Sequence, residues 1–108
     1  METIKSHEEI SNLFSNGKRL RTPYLTFIVL PTKQHDLDGR VAFIAGKKNG
    51  NAVWRNSAKR RMREVCRAMG GPWSGFDVIF LAKSCINDVP YSKVLFTCEE
   101  TWKKFKDR

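Results

Sequence analysis

The sequence predicts an α+β fold in which helices cover a small mixed β-sheet. The 108 residues are enough for one domain with a modest core, and 41% of them are apolar. Segments with apolar residues three or four positions apart alternate with segments rich in β-branched and aromatic residues. Their order is α-β-β-α-β-α, so we predict a single-domain two-layer α/β sandwich that spans residues 1–108.

The chain is predicted to begin with a helix over residues 6–16. Ser6 is a suitable N-cap, and Glu9 three positions later completes a capping-box pattern. Ile10, Leu13 and Phe14 form its apolar side, and the glycine at position 17 ends it.

Two strands are predicted to follow this helix. Residues 24–30, Tyr-Leu-Thr-Phe-Ile-Val-Leu, have the composition of a strand, which Pro31 closes. A polar loop over residues 32–39, which carries His35, Asp36 and Asp38, leads to a second strand over residues 40–46.

Residues 47–67 concentrate the positive charge of the chain. They hold eight of the 20 Lys and Arg residues but only one of the 11 acidic residues. A helix is predicted here, with Asn51 as its N-cap and Gly70-Gly71-Pro72 as its stop. Its apolar residues recur at helical spacing and predict a face that packs on the core: Trp54, Ala58, Met62, Val65 and Met69.

A second stripe of the same helix is cationic and lies opposite the apolar one at about 100° per residue. It consists of Asn56, Lys59, Arg60, Arg63 and Arg67. Like charges repel each other, so a polyanionic partner such as RNA explains this pattern better than a merely solvated face. A membrane surface is a weaker alternative, because the opposite stripe has the pattern of a core face.

One more strand and one more helix complete the predicted fold. Residues 76–82 read as a strand that includes Val78, Ile79 and Phe80. Residues 90–106 read as the last helix, with an apolar side formed by Val94, Leu95, Cys98 and Trp102.

Residues 47–64 carry the string Lys-Lys-x-Gly-Asn-Ala-Val-x-Arg-Asn-x-x-Lys-Arg-x-x-Arg-Glu. This string resembles the signature of the bacterial ribonuclease P protein subunit, and the flanking helices and strands resemble that family over nearly the whole chain. The family typically has Arg-Asn-Arg where this chain has Arg55-Asn56-Ser57, so the resemblance implies one cation fewer here.

The resemblance implies a function and a set of RNA contacts. The family's protein binds the catalytic RNA of ribonuclease P and the 5′ leader of precursor tRNA, and it assists endonucleolytic removal of the leader. The resemblance also implies an unusual left-handed crossover around the basic helix. We expect no DNA or membrane partner. The residues that it places against RNA are Lys47, Lys48, Asn51, Arg55, Asn56, Lys59, Arg60, Arg63 and Arg67.

The resemblance also implies a cleft for the single-stranded leader between the sheet and the first helix. Phe14 and Phe27 are the candidates to line it, because aromatic rings stack on unpaired bases without reading their sequence. Plain core packing is the competing explanation for both rings, and for Phe14 it is at least as good. Arg21 and Tyr24 are weaker candidates nearby.

The chain itself is poor in catalytic chemistry. His7 and His35 are its only histidines, and surface positions without a special role explain both. No catalytic residue and no metal ligand is predicted on the protein, and the resemblance implies that Mg²⁺ is held mainly by the RNA subunit and the substrate. Three widely spaced cysteines are predicted to be reduced and mostly buried.

Two other functions remain open from the sequence. A ribosomal or general RNA-binding protein would carry the same basic helix without an enzymatic context. An autonomous nuclease would cleave RNA without an RNA subunit. The N-terminus lacks the pattern of a signal peptide, and no stretch is apolar enough to span a bilayer, so the cytoplasm is the expected location.

Overall fold

A four-stranded sheet with helices on both faces forms the structure, a computed structural model that describes residues 3–4, 6–32 and 39–107. The helices are α1 (His7–Asn16), α2 (Ala52–Ala68) and α3 (Tyr91–Lys106). The strands are β1 (Lys18–Arg21), β2 (Leu25–Pro31), β3 (Arg40–Ile44) and β4 (Phe76–Ala82), and two short 3₁₀ helices span Lys47–Asn49 and Ser84–Asn87. The predicted α+β class with helices packed on a small mixed sheet is confirmed, with α2 and α3 on one face of the sheet and α1 on the other. The loop prediction for His35, Asp36 and Asp38 lies outside the described residues.

The sheet is mixed and has the strand order β1-β2-β4-β3. β2 pairs antiparallel with β1 and with β4, whereas β3 and β4 are parallel neighbours joined through α2. This arrangement confirms the predicted strand–helix–strand unit around the basic helix. The handedness of its crossover stays a prediction from the resemblance.

The strand β1 is absent from the sequence prediction. Three of its four residues are cationic, and only Leu20 is apolar, so neither composition nor alternation indicates a strand. It forms because its backbone pairs with β2 in register, Lys18 opposite Val29 and Arg21 opposite Thr26. Charged side chains on such an edge strand discourage pairing with another chain.

The two faces of the sheet bury two separate clusters. The larger cluster lies under α2 and α3 and includes Phe27, Phe80 and Met62, all of them fully buried. The smaller one lies under α1 and includes Leu13, Ile28 and Ile79. Side chains alternate between faces along a strand, so neighbours such as Phe27 and Ile28 belong to opposite clusters.

The ends of the helices follow local rules that the sequence predicts. The hydroxyl of Ser6 accepts a hydrogen bond from the Glu9 N–H at 3.4 Å, which confirms the N-cap of α1. Gly70 follows α2 with φ of 86°, and the N–H groups of Gly70 and Gly71 donate to the carbonyls of Arg67 and Cys66. This pair of hydrogen bonds is the Schellman motif, which favours glycine at the position with left-handed backbone conformation.

An ion-pair network fixes α1 to the edge of the sheet. The Arg40 guanidinium on β3 donates to both carboxylate oxygens of Asp77 on β4, at 2.9 and 3.3 Å, and it also pairs with Glu9 on α1. These two carboxylates raise the pKa of Arg40 further above its ordinary value. Since Asp77 is 9% exposed, the bidentate pairing offsets the cost of burying its charge.

We expect the core face of α2 to dominate the stability of this layer. Met62 is fully buried, so Met62→Ala should leave a cavity and lower the free energy of unfolding by roughly 2–4 kcal/mol. Arg60→Ala, on the exposed side of the same helix, should change it by less than about 0.5 kcal/mol. Urea unfolding followed by circular dichroism measures both, and equal small effects would contradict the packing.

The thiols should differ sharply in reactivity. Burial raises the pKa of the Cys66 thiol to about 11 and that of Cys98 to about 12, which keeps both protonated at neutral pH. Cys85 is partly exposed, and all three cysteines are free. Iodoacetamide at pH 8 should therefore label Cys85 first, and the other two only after unfolding. Mass spectrometry of labelled peptides measures this, and equal labelling of Cys98 in the folded protein would contradict it.

Candidate RNA interface

The outward side of α2 presents a nearly single-signed row of donors. Asn56, Arg60, Arg63 and Arg67 are exposed, and Lys59 is half-buried at the flank. We call these five residues the α2 cationic face. Its only acidic neighbour on the helix, Glu64, lies 3.7 Å from Arg67 in an exposed pair, and such pairs contribute little. The predicted placement of the stripe is confirmed, whereas its contact with RNA stays a prediction.

The core fixes the direction in which this face points. Ala58, Met62 and Val65 are fully buried against the sheet and α3, and Trp54 and Met69 pack against the same cluster at the two ends of the helix. A rotation of α2 would expose these side chains, so the cations are held outward by the packing of the opposite stripe.

The N-terminal end of α2 extends the cationic face. Lys47 and Lys48 lie exposed in the 3₁₀ helix that precedes α2. The Asn51 side-chain oxygen accepts from the Trp54 N–H at 3.0 Å, which confirms the predicted cap. The oxygen of Asn51 is therefore committed to the helix, and its amide N–H groups are the donors that remain for a ligand.

Three arginines of α2 also contact the protein. Arg55 is half-buried, and its guanidinium donates to the Gly50 carbonyl at 3.4 Å. Arg63 lies over the ring of Phe43, 5.5 Å from its centroid, so a cation–π contact orients an exposed guanidinium. The guanidinium of Arg61, which the predicted interface omits, donates to the carbonyls of Ile86 and Val89 at 3.0 and 2.5 Å. Arg61 thus attaches α2 to the segment before α3.

A second candidate surface lies on the other face of the sheet, beside α1. The register places Arg21, Thr26, Leu81 and Ile44 in one row across the four strands, next to the row that α1 covers. Leu81 and Ile44 are half-buried, and Arg21 is exposed.

The aromatic wall of this surface is Phe14. Its half-buried ring belongs to α1, and the Arg19 guanidinium lies 5.7 Å from the ring centroid. We call Phe14 together with the row of Arg21, Ile44 and Leu81 the α1-side groove. It combines an apolar floor, an aromatic ring and cations, which are the components of a site for unpaired bases.

Phe27 cannot belong to this groove, and the prediction that it lines the cleft is wrong. Its side chain is fully buried on the opposite face of the sheet. There it meets Phe80 edge-on at 4.9 Å between ring centroids and lies 5.7 Å from the Trp102 ring. Tyr24 packs in the same cluster and is 8% exposed. The sequence shows that Phe27 lies in a strand but not which face of the sheet it occupies.

Neither a metal centre nor a membrane span is found in the described part of the chain. No three His, Cys, Asp or Glu side chains among residues 3–4, 6–32 and 39–107 lie close enough together to hold a metal ion. No described helix has the length and apolarity to cross a bilayer. His7 is exposed at the first turn of α1.

Sequence comparison matches the chain to the family model described as Ribonuclease P over residues 1–106. The ribonuclease P protein component of Natranaerobius thermophilus is 36% identical over 93 residues, which cover 84% of this chain and 78% of that protein. The ribonuclease P protein component of Symbiobacterium thermophilum is 30% identical over 105 residues, which cover 94% of this chain and 88% of that protein.

Two solved structures share the fold. The RNase P protein of Staphylococcus aureus superposes with a TM-score of 0.82 at 23% identity, over 98% of this chain and 96% of that one. The RNase P protein of Thermotoga maritima superposes with a TM-score of 0.77 at 22% identity, over 96% of this chain and 97% of that one.

Adjacent arginines of α2 should give opposite phenotypes. Arg60→Ala should weaken RNA binding and lower the log–log salt dependence by about one unit, with the fold intact. Arg61→Ala removes the same charge but leaves two carbonyls unpaired, so it should lower the free energy of unfolding by roughly 1–3 kcal/mol. Filter binding at several salt concentrations and urea unfolding separate the two effects. If both variants changed only RNA affinity, the assignment of the two faces would be wrong.

Proposed function

Because the chain belongs to the ribonuclease P protein family, we propose that its α2 cationic face binds the catalytic RNA and that its α1-side groove binds the 5′ leader of precursor tRNA. The protein is the protein subunit of a ribonucleoprotein endoribonuclease that removes this leader to give the mature 5′ end of tRNA.

The observation that carries the proposal is the fixed orientation of α2. A structured RNA presents its phosphates at a regular spacing, and a row of Arg and Asn side chains on a fixed helix can meet several of them at once. Arg60, Arg63 and Arg67 recur at three and four residues on one exposed side, while the opposite side is buried. Each phosphate contact releases condensed counterions, which favours binding at low salt.

The α1-side groove suits a strand of variable sequence. Leaders differ between tRNAs, so their recognition needs contacts that every nucleotide can make. The Phe14 ring offers a stacking surface to any base, and the exposed Arg21 offers its guanidinium to the backbone. The half-buried Ile44 and Leu81 exclude water from the floor of the groove.

The chain connects the two surfaces over a short distance in sequence. Ile44 ends β3 in the groove row, and the exposed lysines at positions 47 and 48 follow before α2 begins. A phosphate backbone that leaves the groove at this end therefore meets cations next to the N-terminus of α2, where free N–H groups also attract anions. We assign to these lysines the role of joining substrate and catalytic RNA on one protein.

The protein's part in this function is binding rather than chemistry. In the proposal, Mg²⁺ is held by the RNA subunit and the substrate, and no step proceeds through a metal on this chain. The protein screens the repulsion between two RNA phosphate backbones, so less Mg²⁺ is needed to bring them together. We propose that the protein functions in the cytoplasm and that it has no membrane or DNA partner.

The test of the proposal is cleavage of precursor tRNA by the matching catalytic RNA over a range of Mg²⁺ concentrations. Added protein should shift the midpoint of activity to lower Mg²⁺, and the double variant R60A/R63A should shift it back. Phe96→Ala, a variant at an exposed position on α3, is the control and should behave as wild type. Identical curves with and without protein would contradict the proposal. Cleavage by the protein alone would instead indicate an autonomous nuclease.

Leader binding should depend on Phe14 and not on Phe27. Phe14→Ala should weaken binding of precursor tRNA to the holoenzyme by roughly 1–3 kcal/mol, because one base loses its stacking partner. Phe14→Leu keeps most of the packing volume and serves as the matched control for damage to α1. The measurement compares the affinity of each holoenzyme for precursor tRNA with its affinity for tRNA without a leader. Equal losses for both substrates would show that Phe14 only packs in the core.

A further inference from the structure

A cavity of about 650 Å³ opens between α3 and the beginning of β4, away from both surfaces described above. Phe76 begins β4 at the end of the sheet opposite to Leu81. Lys18 on β1 pairs with Val29 on β2, and the Val29 side chain lies on the face of the sheet that α2 and α3 cover. We call this cavity the β1–α3 pocket. It is lined by Lys18, Trp73, Phe76, Trp102, Phe105 and Lys106.

The pocket offers ring faces in contact with one another. Trp73 stacks on Trp102 with 4.2 Å between ring centroids, and Phe105 lies 5.4 Å from Trp102 and 6.1 Å from Phe76. Trp73, Phe76 and Phe105 are only half-buried. Partly exposed ring faces around a cavity of this size fit a planar aromatic ligand, since the volume lies in the usual range for small-molecule sites.

Cations surround the rings. The Lys18 ammonium lies 5.5 Å from the centroid of the Phe105 ring, and Lys106 lines the same cavity. A neighbouring cavity of about 310 Å³ shares Lys18 and Phe105 and adds Arg19, Arg21 and Lys104. No acidic residue in the described part of the chain lines either cavity. A cationic ligand would be repelled here, and an anionic one attracted.

We propose that the β1–α3 pocket binds a nucleotide, with its base against Trp73 and Phe105 and its phosphate at Lys18 and Lys106. Rings alone would accept any flat apolar molecule, and lysines alone would accept any phosphate. Their combination in one cavity selects a ligand that joins a planar ring to a phosphate, which is the chemistry of a nucleotide.

Two sources can supply this chemistry: an unpaired residue of a bound RNA strand, or a free mononucleotide. The neighbouring cavity continues the cations along β1 toward Arg21, as a strand with successive phosphates requires. The β1–α3 pocket shares no lining residue with the α2 cationic face or with the α1-side groove, whereas the neighbouring cavity reaches Arg21 of that groove. With an RNA strand as the source, the pocket adds a third nucleic-acid contact to the two of the proposed function.

The indole N–H signals of the three tryptophans provide the test. In ¹⁵N-labelled protein, AMP should shift the signals of Trp73 and Trp102, whereas inorganic phosphate should not, and adenosine should bind more weakly than AMP. A 5′-phosphorylated tetra-adenylate that binds tighter than AMP would identify an RNA strand as the source. Equal affinity of the two would identify a free nucleotide.

Three single-residue variants test whether AMP binds in the β1–α3 pocket. Phe105→Leu, which keeps most of the volume, should weaken AMP binding by about fivefold or more. Lys18→Ala should weaken it and reduce its dependence on salt concentration, because salt screens the attraction between the ammonium and the phosphate. Lys93→Ala removes a charge from the other end of α3 and should bind as wild type. The proposal is overturned if AMP leaves Trp73 and Trp102 unshifted, if phosphate or adenosine alone matches AMP, or if Lys18→Ala and Phe105→Leu bind AMP like wild type.

Discussion

The packing of α2 against the sheet determines both the larger core and the orientation of the charged surface. Ala58, Met62 and Val65 are fully buried on one side of this helix, and the cations that recur on its other side are thereby pointed at solvent. The same packing brings β3 and β4 side by side as parallel strands, because α2 is the connection between them. The stability of the core and the direction of the charge are therefore two results of one interface.

The sheet separates the functions of its two faces. One face carries α2 and α3 over the larger core, and the other carries α1 over a smaller cluster, beside which Ile44 and Leu81 are only half-buried. Since α1 is held at the far end of this face by the Arg40 ion pairs with Glu9 and Asp77, the row that contains Leu81 remains open. The uneven coverage of the sheet by α1 thus creates the groove.

Periodicity and capping predicted most of the fold, because α2, β4 and α3 each carry strong local signals. The sequence did not predict the strand β1. Its Lys-Arg-Leu-Arg sequence carries no strand signal, and it is a strand because its backbone pairs with β2. The same limit applies to single side chains. Helical spacing correctly predicted that Arg60 points outward. It could not show that the Arg61 guanidinium donates hydrogen bonds to two carbonyls that are distant in sequence. Whether Phe27 is buried under α2 and α3 or points toward α1 depends on which face of the sheet its side chain occupies. The alternation of residues along the strand does not decide this, because helices cover both faces of the sheet.

In the proposed complex, the outward side of α2 is the side that contacts the catalytic RNA. Chemical modification of arginines by phenylglyoxal, read by mass spectrometry in the free protein and in the complex with catalytic RNA, measures this contact residue by residue. RNA should protect Arg60, Arg63 and Arg67 from modification, while Arg40 and Arg61, which already bind protein groups, should keep the same low reactivity in both states. Unchanged modification of the three outward arginines in a fully formed complex would contradict it.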